Sequence, residues 1–134
     1  MEALRRSPSH RLGEAAELPP ESRSVLVLAL AHPPESPALD WWDAHPGHTP
    51  GNRTLIRVAR ELSAWMEAEI QIRSRDVPYA IDEGGIFLKD AAALAGLGVI
   101  GRNNLLVTPE YGPRVRLRAL LLEADLPPAP PLDF

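Results

Sequence analysis

A chain of 134 residues with 45% hydrophobic side chains is long enough for one domain, since a chain of this length buries about two thirds of its unfolded surface. It contains no cysteine, which excludes a disulfide framework, a thiolate zinc site, a catalytic thiol and any cysteine-held iron–sulfur cluster within the chain. The net charge of −4 argues against general coating of nucleic acid. No stretch reaches the ~20 apolar residues of a membrane span, and no apolar run follows Arg5 and Arg6 as in a signal peptide, so the cytoplasm is the expected compartment.

Residues 1–22 are polar and carry Pro8, Pro19 and Pro20, which predicts a tail. Ser24 to Ala31 is an apolar run of strand length, stopped by His32, Pro33 and Pro34. Apolar on both faces, it is expected to be a central strand covered on both sides. A proline-rich loop then reaches Pro50 and holds Trp41, Trp42, His45 and His48. Thr49-Pro50 offers a cap followed by proline at a helix start. Leu55, Val58, Ala59, Leu62, Trp65, Met66 and Ile70 recur at helical spacing, the clearest helical signal in the chain. An extended piece follows around Gln71 to Tyr79, and a second helix is predicted from Phe87 to about Ala95. Strands are expected near Asn104 to Thr108 and Arg114 to Leu122, joined by a turn at Pro109 to Pro113. Residues 126–134 are too rich in proline for a sheet and are expected to be a linker or a truncated end. The domain proper is thus expected over residues 23–125.

Gly96, Gly98 and Gly101 have the spacing G-x-G-x-x-G, but a helix precedes them and a strand follows, the reverse of a dinucleotide fingerprint. Two readings stay open: a helix cap with a corner and no ligand, or a bare backbone that a ligand approaches closely, with Arg102, Asn103 and Asn104 as donors. Asp82 and Glu83 lie before Gly84 and Gly85. A carboxylic acid there serves as a proton donor if its pKa is raised, or else it contacts backbone N–H groups. His45 and His48, with Asp40 and Asp43, make a weak metal-ligand pattern. Trp41 and Trp42 either wall a flat ligand or fold back onto the core. Arg114, Arg116 and Arg118 alternate with apolar residues, which puts them on one strand face as an anion grip or a solvated surface.

The run from Phe87 to Gly112, with Asp82 placed fourteen residues before Gly96, resembles the central motif of epoxyqueuosine reductases and their relatives, including corrinoid-dependent reductive dehalogenases. Gly98, Gly101, Asn103, Leu105 and Pro109 to Gly112 all match that motif. The resemblance implies an α+β, nitroreductase-like sandwich, a central sheet with helices packed on it, that binds base-off cobalamin. It implies reduction fed by two [4Fe-4S] clusters, which this cysteine-free chain does not hold, so a ferredoxin-type iron–sulfur domain or protein is the expected partner. A tRNA substrate and a homodimer are further expectations. By the same resemblance Asp82 is the proton donor, and Gly96, Gly98, Gly101, Arg102 and Asn103 line the cofactor. The alternatives are a flavin-binding domain of the same fold, or a non-catalytic interaction or dimerisation domain.

Overall fold

A computed structural model describes residues 18–80, 83–130 and 132. Strand β1 (Ser24–Ala31) is followed by a 3-10 helix (Pro37–Asp40) and the long helix α1 (Pro50–Ile70). Then come β2 (Ser74–Asp76), helix α2 (Leu88–Leu94), the short strands β3 (Val99–Ile100) and β4 (Leu106–Val107), and β5 (Val115–Leu122). The main sheet is antiparallel, in the order β1-β5-β2. β1 pairs with β5 from Ser24↔Leu122 to Ala31↔Val115, and β2 pairs Ser74↔Leu122 to Asp76↔Leu120.

Among the described residues the central strand is therefore β5 and β1 lies at the edge, so Ser24 to Ala31 is covered on both faces as expected but is not central. Alternation along β5 sorts the core. Ala119 and Leu121 pack with Ile86, Ala91, Val25 and Val27 on the α2 side, while Leu120 and Leu122 pack with Ala59, Met66, Leu26 and Leu28 on the α1 side. Among the described residues each face is covered by one helix, in keeping with an α+β sandwich.

Helix α1 begins where the sequence marks it. The Thr49 side chain accepts from Asn52 N at 3.2 Å, and Pro50 takes the first helical position, where a missing N–H costs nothing. It stops at Gln71, whose φ of 53° is left-handed. Gly51 is buried because a Cβ there would lie 2.9 Å from the Leu39 carbonyl and 3.1 Å from Arg116 Nε. The helix N-terminus thus sits directly on the 3-10 helix and on β5.

The described flanks of the domain are docked on it. Leu18 packs against the α2-side core, and the Glu21 carboxylate accepts from Arg75 at 3.0 Å, so the described part of the tail is docked. Leu126 to Ala129 line a groove with β1 and α2, and Pro130 O approaches Gly96. Residues 126–130 are packed on the domain rather than extended away from it.

Candidate functional site

The loop after β1 is organised by charge. Asp40 accepts from Arg116 Nη2 at 2.5 Å and lies 2.9 Å from His32 Nδ1, which ties the 3-10 helix to the end of β1 and the start of β5. The Arg116 hydrogen bond, helped by His32, holds the Asp40 carboxyl below the usual range. Asp43 accepts from Arg53 through both oxygens, at 2.9 and 2.8 Å, and from His45 N at 2.9 Å. This bidentate pairing holds the Asp43 carboxyl at about 2. Trp42 stacks on His48, ring centroids 4.2 Å apart and nearly parallel. Trp41 and Trp42 remain 66% and 75% exposed, so they do not fold back onto the core. No group of three metal-ligating side chains forms among the described residues, and His45 and His48 are engaged as above.

Where β1 ends and β5 begins, a cavity of about 590 Å³ opens between the sheet, α2 and the residues around β4. Ile86, Leu88, Leu106, Val115 and Leu117 make it largely apolar, and His32, Asn52, Tyr79, Lys89 and Arg116 bring polar groups to it. Its size and lining are those of a small-molecule site. Lys89 Nζ donates to Asn104 O at 2.6 Å, which links α2 to the β3–β4 turn. The neighbouring loop is tight: Glu83 N and Gly85 N both donate to Ala80 O, at 3.2 and 3.0 Å. A Cβ on Gly85 would lie 2.6 Å from two carbonyl oxygens, so only glycine closes this turn. Asp82 lies outside the described residues, in sequence between the cavity-lining Tyr79 and Ile86.

The glycine corner has reasons internal to the chain. Gly96 caps α2 with φ of 74°, under Pro130 O. A Cβ on Gly98 would stand 2.3 Å from Val107 O, so its bareness lets β3 close on β4. Gly101 N donates to Leu105 O at 2.9 Å, and Asn103 Oδ1 accepts from Leu105 N at 3.2 Å. These residues shape the hairpin that delivers Leu105 and Leu106 to the cavity, and none of Gly96, Gly98, Gly101, Arg102 or Asn103 lines it. Sequence reasoning missed His32, Asn52 and Arg116 as a group, because only the fold brings them to one cavity.

No protein-family model matches the chain. An epoxyqueuosine reductase of Gloeobacter violaceus is 40% identical over 75 residues, covering 56% of this chain and 23% of that protein. One from Synechocystis is 31% identical over 102 residues, covering 72% of this chain and 34% of that protein. The chain is similar to one part of epoxyqueuosine reductase. It spans between about a quarter and a third of the length of these two relatives. The fold agrees. An epoxyqueuosine reductase solved with an epoxyqueuosine-modified tRNA-Tyr stem loop superposes with a TM-score of 0.65 at 22% identity, covering 85% of this chain and 32% of that one. The Streptococcus thermophilus epoxyqueuosine reductase gives 0.60 at 19% identity, with the same coverage. The antiparallel sheet with helices on both faces is thus a fold found within epoxyqueuosine reductases. No helix among the described residues is long and apolar enough to cross a membrane.

Proposed function

We propose that this chain is the cobalamin-binding part of an epoxyqueuosine-reductase-like oxidoreductase with a nitroreductase-like fold. The observation that carries the reading is the largely apolar cavity of about 590 Å³, lined by Tyr79 and Ile86, which bracket Asp82 in the sequence, in a chain similar to epoxyqueuosine reductases in sequence and fold. The residues present suit a corrinoid in part. Ile86, Leu88, Leu106 and Leu117 offer a dry surface to a flat macrocycle, and Arg102 and Asn103, on the exposed turn beyond it, offer donors to its amide periphery. Gly96 and Gly98 act indirectly, since their Cβ positions are already filled by the chain.

When bound, the corrinoid supplies two-electron reduction at its cobalt. The chain's own residues do the rest. The aliphatic wall excludes water, and Lys89, fixed through the Asn104 carbonyl, places a positive charge at the cavity. Asp82 is the proposed proton donor. A carboxylic acid donates usefully near neutral pH only when burial raises its pKa from about 4. A relative from Bacillus subtilis has been solved with an aspartate catalytic loop swung out of the active site, which fits this role for a loop that ends in Gly84 and Gly85. A ferredoxin-type domain or protein would hold the [4Fe-4S] clusters that supply the electrons, because the cysteines such clusters need are absent from this sequence. A modified tRNA is the proposed substrate.

Titration with hydroxocobalamin tests the reading. Saturable binding with a shift to a base-off spectrum is expected, and a yellow flavin-type preparation, or no binding, overturns it. Asp82→Asn is expected to keep cobalamin binding and lose most reduction driven by a strong chemical reductant. Glu83→Gln serves as the control and stays active. A dead Glu83→Gln beside a fully active Asp82→Asn moves the donor by one residue.

A further inference from the structure

The cavity is basic where it is polar. His32 from the end of β1, Arg116 from β5 and Lys89 from α2 all line it, and among the described residues no carboxylate does. This inverts locally the sign of a chain whose net charge is −4. The compensating carboxylate, Asp40, stands outside the lining and bonds both His32 and Arg116. An ionised carboxylate only accepts, so the His32 nitrogen facing it, Nδ1, carries the proton. Nε2 is the ring nitrogen left for the cavity. Lys89 gives one N–H to Asn104 O and keeps two. Arg116 gives Nη2 to Asp40, and its buried Nε has no partner among the described residues. Beside an apolar wall such charges act through a low dielectric and are stronger than at an open surface.

We infer that this basic end of the cavity is a subsite for a phosphate-type oxyanion on the ligand, with His32 taking a proton on Nε2 as the anion enters. Among the described residues, the charged and titratable groups that face His32 are Asp40 from the 3-10 helix and Arg116 from β5, with Lys89 of α2 and Tyr79 elsewhere on the same cavity. The arriving anion draws the proton to Nε2 by accepting its hydrogen bond, and it offsets the charges of Arg116 and Lys89 at the same time. The inference rests on the cavity of the proposed function, but its test uses simple anions and the cofactor-free chain, so the two readings fail separately.

Sulfate is the first probe, because it has no titrating group near neutral pH and any proton taken up belongs to the protein. Calorimetric titration of the full chain in two buffers of different ionisation enthalpy is expected to show binding with net proton uptake. His32→Gln is expected to bind roughly tenfold more weakly, as loss of a hydrogen bond to a charged group implies, with the uptake abolished and the thermal unfolding midpoint unchanged. Lys89→Met is expected to weaken binding yet keep the uptake, which separates simple charge from the His32 role. Parallel titrations with dimethyl phosphate and methyl phosphate tell a diester ligand from a terminal monoester, and binding of either supports the subsite. Failure of the parent chain to bind any of the three anions overturns the inference. So does a His32→Gln variant that binds sulfate with the parent's affinity and proton uptake.

Discussion

Asp43 gives both its oxygens to Arg53, and the consequence is a dependence on acid. Its carboxyl is held at about 2, by the Arg53 hydrogen bonds first, whereas in the unfolded chain it titrates near 4. A depressed folded-state pKa gives stability that is present above the unfolded value and lost as pH falls through the folded one. Denaturant midpoints are therefore expected to fall between about pH 4 and pH 2, and Asp43→Asn is expected to make that fall shallower. Asp40, lowered by Arg116, contributes in the same direction. An unaltered acid profile in Asp43→Asn removes the pair from the account. At Gly98 the expectation is steric: Gly98→Ala drives a Cβ to 2.3 Å from Val107 O and is expected to cost about 2–3 kcal/mol by chemical denaturation. Gly112→Ala, with φ of 56° but open space around it, is expected to cost about 1 kcal/mol. The glycine spacing was legible in the sequence, but its internal purpose was not, because the carbonyl that Gly98 avoids belongs to another strand. The grouping of His32, Asp40 and Arg116 was hidden for the same reason, with partners 8 and 76 positions apart.

Helix α1 shows what local signals specify well. Its cap, its proline and its apolar period all act within one or two turns, so the sequence displays the whole element. Thr49→Ala is expected to destabilise by about 1 kcal/mol and Thr49→Ser by much less, read from unfolding midpoints. Met66, buried against β5, is expected to cost about 2–5 kcal/mol when cut to alanine, while half-exposed Trp65→Ala costs little. Equal effects at the two positions would place the apolar face of α1 elsewhere. The strands were harder to rank. β1 is an unbroken apolar run and does pack on both faces, yet among the described strands it is the edge. β5 is the centre and carries Arg116 and Arg118 on the side that faces α1. Periodicity alone assigns those arginines to solvent; the structure instead tucks Arg116 under Gly51 and pairs it with Asp40. An ion pair thus lets arginine occupy a central strand, and that pairing is set by tertiary contacts.

At the scale of the molecule, the shared fold with epoxyqueuosine reductases covers most of this chain but about a third of each solved relative. Among the described strands of the main sheet, only β5 is hydrogen-bonded on both sides. Its amides are expected to exchange with solvent at the rate of global unfolding, and those of β1 that point away from β5 far sooner. Uniform protection along β1 would reveal a further strand beyond it. The order of the strands also has a consequence in time. β1 and β2 precede β5 in the chain, and neither pairs with the other. The Ser24 hydroxyl bonds Ala124 O at 2.6 Å, across 100 positions. A nascent chain therefore leaves the ribosome with two strands made and no sheet to join, their apolar faces in need of shelter until residues 115–122 emerge. Pairing across so long a separation is expected to be slow, and the interval before it is when apolar strand faces stand exposed to aggregation.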